Sequence, residues 1–276
     1  TDVLCAFIEQ MYSERKLGVD TMATVMQQYK EELPVDSPIL SSIYLEDPLQ
    51  VSQMREDQKQ SPISFPDFVL ARVIIAGFWN YQSMAEVIRN AERICRLTHA
   101  SKDVVGSCVV VAYLLRKILI DEPFMRDELI WLSRNYSEKI GDYVKYAYEN
   151  NMHFLKPNTS EGEATTSLKT MGLTIWALIQ KQDFFETYSF LARELRFFRP
   201  CQAVVIALLG AKVGLEGIPA NIGEAQGYMT AYRGSSLAYQ AKGAEQLCGY
   251  LMGRAYSLVD MLKDDIKNRD SYIIIP

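Results

Sequence analysis

The sequence predicts an all-α protein, compact and built as a single domain over residues 1–276. Three observations carry that expectation. Apolar residues recur at helical spacing along most of the chain. Strand-like alternation is scarce, and "YIIIP" at 272–276 is too short to define a sheet. The middle segments are apolar nearly all round, which suits the centre of a layered bundle better than a linear solenoid. At 49% hydrophobic and 23% charged, the chain can bury a large core without disulfides or metals.

The elements follow in order. "TDVLCAFIEQMYSERKLG" places Leu4, Phe7, Ile8 and Met11 on one helical face, with Gly18 as a stop. "DTMATVMQQYKEEL" reads as a second short helix. Pro34, Pro38, Pro48 and Pro62 then interrupt a polar stretch, so 34–66 is expected to be an irregular connection. "DFVLARVIIAGFWN" resumes the helical pattern, with Asp67 as N-cap and Gly77 near the end. In "SMAEVIRNAERICRLTH", Ser83 and Glu86 have the spacing of a capping box. Met84, Val87, Ile88, Ala91, Ile94 and Cys95 form its apolar stripe.

"SKDVVGSCVVVAYLLRKILI" is apolar through its middle and should be central. The stretch from Pro123 to Asn151 supplies one or two outer amphipathic helices, and "NTSEGEATTS" reads as a polar loop. "SLKTMGLTIWALIQKQ" is the next core helix and "DFFETYSFLAREL" the one after it. Residues 201–216 form another apolar helix, where Gly210 and Gly214 permit close packing and Gly217 and Pro219 mark the exit. A long amphipathic segment from about Tyr239 to Asn268 ends the pattern.

Charge and cysteine usage narrow the function classes. The net charge of -5 comes with no basic block, which argues against nucleic acid as the main partner. No uncharged apolar run reaches the ~18 residues a membrane span needs, and no signal peptide is expected from these residues. Five cysteines with no C-x-x-C pair suit a reducing compartment, so a cytoplasmic location is expected.

Few residues suggest chemistry. His99 sits where one helix stops and the next starts, a position better suited to capping than to ligand contact. His153 has no metal-ligand neighbours in sequence. Asp264 and Asp265 are adjacent on a helix and face different directions. The glycines of "LLGAKVGLEGIP" follow a helix instead of preceding one, the wrong context for a dinucleotide loop. Thr1 and Asp2 carry possible oxygen ligands. Cys95, Cys108 and Cys201 have no identifiable base partner and read as buried thiols.

From "RICRLTHASKDVVGSCVVVAYLL" onward the chain resembles the ADP-ribosylglycohydrolase family. That family includes hydrolases of ADP-ribosylated arginine and serine and the glycohydrolase that activates dinitrogenase reductase. Three further stretches agree in order: "FVLARVIIAG" with the family's GNGAAMR-x-x-P-L-G segment, "TTSLKTMGLTIWALI" with its alanine-and-tryptophan helix, and "ALLGAKVGLEGIP" with the helix after its second acidic motif. The resemblance implies an orthogonally packed helical bundle lacking the family's opening segment. The family fold also resembles that of the J1 crystallins of the jellyfish lens.

The resemblance implies a remnant cleft formed by Thr1, Asp2, Asp67, His99, Phe197 and Arg199. Relatives hold two magnesium ions there, with Thr-Asp-Asp-Thr and Gly-Gly-Asp-x-Asp-Thr segments as ligands. Here Thr1 and Asp2 match the first two positions of the former, and Val3 and Leu4 replace the rest. In the latter, Leu195 and Arg196 stand on the glycines, Phe197 and Arg199 on the aspartates and Pro200 on the threonine. A magnesium ion needs hard oxygen donors in near-octahedral geometry, and none of these replacements supplies one at the ligand positions. Arg199 is expected to pair with Asp2 if the segments meet. The expectation is therefore a catalytically inactive protein without a cofactor, with a binding or structural, crystallin-like role. Its partner is an unknown protein or a second copy, with weak ADP-ribose or nucleotide binding possible under the same resemblance. The competing reading is a magnesium-dependent hydrolase that recruits Glu161, Glu163 and Asp67 as replacement ligands.

Overall fold

The structure is a computed structural model that describes residues 67–79, 81–97, 99, 101–158, 163–181, 183–195, 199–214 and 217–218. Residues 67, 68, 163, 164, 199 and 200 are described by their backbone. All of these lie in one compact unit, Asp36–Pro219. The helices expected before residue 34, the connection at 34–66, the segment from Tyr239 and "YIIIP" fall outside the described residues.

Nine helices and no strand occur among the described residues: α1 (Asp67–Phe78), α2 (Met84–Arg96), α3 (Lys102–Leu119), α4 (Arg126–Ser133), α5 (Glu138–Tyr148), α6 (Met152–Leu155), α7 (Glu163–Ile179), α8 (Phe184–Glu194) and α9 (Arg199–Val213). The architecture is all-α, as the periodicity predicts. Helix α3 is the axis. Every residue from Val104 to Leu115 is buried. It packs against α1, α2, α4, α5, α7 and α9. An unbroken apolar run with neighbours on all sides leaves no face for water, which is why α3 lacks a polar stripe. Helix α7 is a second centre, touching α1, α3, α5, α6 and α9.

Local chemistry sets several helix ends. The Ser83 hydroxyl accepts from the Glu86 backbone N–H at 3.4 Å, the N-terminal half of the expected capping box. Its stripe is correctly placed in part: Val87, Ala91, Ile94 and Cys95 are buried, while Met84 and Ile88 are only partly covered. Asp183 caps α8 by accepting from the Glu186 N–H at 2.7 Å. Asp67 is the first helical residue of α1 rather than its cap. The polar loop ends sooner than expected, because α7 begins at Glu163 and carries Thr166, Ser167 and Thr170 into the core. Polar composition was misread there as loop chemistry; Thr174 shows the alternative, returning its hydroxyl to the Thr170 carbonyl at 2.8 Å.

The exit of α9 also differs from the expectation. Gly214 adopts φ +72, the left-handed conformation that ends a helix, and nothing lies within 4 Å of the place a Cβ would occupy. Its N–H donates to the Gly210 carbonyl at 2.9 Å. Gly214 is thus the terminator and not a packing glycine.

Candidate functional site

The residues singled out by sequence divide into three groups. Thr1, Asp2 and Phe197 lie outside the described residues, as does Glu161. Asp67, Glu163 and Arg199 are placed by backbone at the first positions of α1, α7 and α9. His99 is described in full and is buried, in the link between α2 and α3.

Helix direction brings two of these positions together. A Cβ on Gly77 of α1 would stand 2.6 Å from the Ala112 carbonyl oxygen and 2.9 Å from the Leu115 Cβ of α3. Next to Leu115, the Arg116 Nη2 donates to the carbonyl of Gln82, in the link that follows α1, at 3.4 Å. Helices α1 and α3 therefore run in the same direction, and α2 returns between them. Asp67 and the link holding His99 consequently share one end of this three-helix layer. Helix α9 packs on both α1 and α3.

His99 is held by its backbone. Its N–H donates to the Cys95 carbonyl at 2.9 Å, and its own carbonyl accepts from the Cys95 Sγ at 3.8 Å. Both contacts close the C-terminal turn of α2 through the main chain of His99. Beneath it, Arg72 donates from Nη2 to the Ile94 carbonyl at 3.3 Å. Burial pushes the Cys108 thiol well up, and its hydrogen bond with Cys95 acts in the same direction. A protonated, enclosed thiol is a poor nucleophile. Cys95, Cys108 and Cys201 are all buried and outside any disulfide, in line with the structural reading of these residues.

The donor set decides what this end can hold. The first turn of α9 carries no acidic residue. Among the described residues, no group of three or more His, Cys, Asp or Glu side chains is placed to hold a metal ion. A magnesium ion needs several oxygen donors, and Thr1, Asp2, Glu161 and the side chains of Asp67 and Glu163 lie outside that set.

Two groups escaped sequence reasoning. Lys117, near the end of α3, has a side chain only 7% exposed and bridges Glu122 at 2.6 Å and Glu128 at 2.8 Å. The Tyr113 hydroxyl donates to Glu128 as well. Lys169 is buried in α7 and donates to the Lys156 carbonyl at 2.7 Å. Both lysines stand inside apolar helical runs, and that placement was the available signal. No described helix is long and apolar enough to cross a membrane.

No curated protein matches the chain. The ADP-ribosylglycohydrolase family model does, over residues 3–249, a span that includes α1 to α9 and the "RFFRP" segment that leads into the last of them. An all-α unit with a buried small-residue axis and a matching order of segments agrees with that result, and the chain belongs to the ADP-ribosylglycohydrolase family.

Proposed function

We propose that this chain is a catalytically inactive ADP-ribosylglycohydrolase-fold protein with a binding or structural role, in the cytoplasm and within one domain. The observation that carries the reading is the sequence at the second acidic motif. Phe197, Arg199 and Pro200 stand where relatives resemble Asp-x-Asp-Thr. A phenyl ring and a pyrrolidine offer no hard oxygen, and a guanidinium adds positive charge where two cations would sit. The absence of an acid in the first turn of α9 supports the same reading. Without a divalent ion, Lewis-acid activation of water or of the glycosidic oxygen is lost. ADP-ribose binding without turnover would make the protein a recognition module; neither binding nor turnover favours a structural role of the crystallin kind.

The test is a hydrolysis assay on ADP-ribosyl-arginine and ADP-ribosyl-serine with added magnesium. The expected result is no release of ADP-ribose above the enzyme-free control. Magnesium-dependent turnover abolished by Asp2→Ala would establish the competing enzyme reading instead.

A further inference from the structure

Helix α4 presents a bulky aromatic ring to solvent. Trp131 is 57% exposed, whereas the chain's two other tryptophans, Trp79 and Trp176, are buried. The charges on α4 divide by face. Arg126 pairs with Glu149 at 3.7 Å, and Glu128 pairs with Lys117 at 2.8 Å. Asp127 and Arg134 are both exposed and form no ion pair among the described residues. Arg134 is the C-cap of α4 and has helical backbone angles, φ -60 and ψ -24, so it keeps the spacing of the helix.

At about 100° per residue, Asp127 and Arg134 lie roughly 40° and 60° to the same side of Trp131. A rise of about 1.5 Å per residue sets them about 10 Å apart along the axis, with their midpoint within about 1 Å of Trp131. An acid, a ring and a base in that order match a second copy of themselves. A second α4 related by a two-fold axis between the helices, perpendicular to both and level with that midpoint, lies antiparallel to the first. Such an axis keeps each residue on its own side of the contact and inverts its height. Each Asp127 then faces Arg134 of the second copy, and the two Trp131 rings meet near the axis. The match requires both charges on one side of the ring, which is where they stand. A uniformly acidic or basic partner would be repelled by one end of the same stripe.

We propose that this face of α4 is where a second copy of the chain docks, with Trp131 at the centre and the Asp127–Arg134 pairs on either side. The inference is independent of the lost metal ligands and of whether the protein hydrolyses anything. Trp and Arg are the residue types that most often dominate interface energetics, and a ring against a ring excludes water from the centre. Size limits the strength. Helix α4 has 8 residues and is about 12 Å long. A contact of that length buries less than the roughly 1,200 Å² of a stable interface. The dimer is therefore weak, with a Kd of about 10–100 µM.

The experiment is sedimentation equilibrium of the full-length protein from about 1 to about 500 µM. The mass is expected to rise from 31.4 kDa toward twice that value. Trp131→Ala, at an exposed position, should stay monomeric throughout. Asp127→Arg and Arg134→Asp should each weaken association about tenfold, since like charges then face each other at both ends. The double variant Asp127→Arg/Arg134→Asp should return to within about threefold of wild type, because a two-fold axis exchanges both charges together. Iodide quenching of tryptophan fluorescence should fall over the same concentrations, since Trp131 is the exposed tryptophan. A constant monomer mass up to about 500 µM overturns the proposal. So does association unchanged in Trp131→Ala, or a double variant as weak as the single ones. Trp131 already shielded from iodide in the monomer would put another segment of the same chain on this face and overturn it as well.

Discussion

Gly106→Val is expected to destabilise the protein by about 3 kcal/mol or more, a large share of the roughly 5–15 kcal/mol that holds a domain together. Gly106 lies in the buried run of α3. A Cβ there would stand 2.2 Å from the Ile140 Cδ1, 2.7 Å from the Tyr136 Cβ and 2.9 Å from the Tyr136 Cγ. The Ile140 methyl is a side-chain tip and can swing away. The Tyr136 Cβ sits on the backbone of the α4–α5 link, and its ring is tethered by a hydroxyl bond to Glu92 at 2.7 Å. It cannot yield without moving that link. Gly106→Ala should cost about 1–2 kcal/mol, since the clash outweighs the gain of ~1 kcal/mol in helix propensity. Gly141→Ala is the control: its nearest neighbour, the Ser133 Oγ, is at 3.4 Å. That variant should be neutral or more stable by up to ~1 kcal/mol. Urea unfolding midpoints compare the three; equal midpoints for Gly106→Val and wild type would refute the close approach of α3 to the α4–α5 link.

Lys117→Met is expected to cost about 2–3 kcal/mol at neutral pH. The figure sits below that for a sealed ion pair because Glu122 and Glu128 are 48% and 30% exposed. Methionine keeps the volume, so the loss reports the charge. Glu128 would be left half-buried with the Tyr113 hydroxyl as a neutral donor. Burial alone would lower the Lys117 pKa, but its hydrogen bonds to Glu122 and Glu128 outweigh that and raise it. A raised lysine contributes stability that is present below its unfolded value, about 10.4, and lost as pH rises through the folded value. The hydrogen bond from Lys117 lowers the Glu122 pKa. A lowered carboxyl contributes stability present above its unfolded value, about 4.3, and lost as pH falls through the folded value. The wild-type advantage over Lys117→Met should therefore be flat from about pH 5 to pH 10 and shrink on both sides. Burial, then the bond to Glu128, pushes the Tyr113 hydroxyl up to about 12, so it stays a donor across that window. A pH-independent difference in unfolding midpoint would contradict the ion-pair account.

These two residues also mark what the sequence could convey. The axis helix was readable because twelve consecutive residues, Val104–Leu115, are buried and apolar or small enough to show as a run. The Ser83–Glu86 start was readable because a cap is local chemistry. Lys117 was not, because its partners lie beyond the end of α3, Glu122 in the turn that follows and Glu128 on α4, where helical periodicity says nothing. Gly214 was misassigned since one glycine among three leaves open which one takes the positive φ. At the candidate site, the replaced ligands at 197, 199 and 200 were visible only through the family resemblance, and His99 through its place between two helices.

Magnesium binding is the quantity nearest to the central claim, because every catalytic step in the family's chemistry depends on paired divalent ions. Equilibrium dialysis of the full-length protein against magnesium, with and without ADP-ribose, measures it directly. The account predicts no stoichiometric magnesium in either condition. Two ions per chain, lost together in Asp2→Ala, would contradict it.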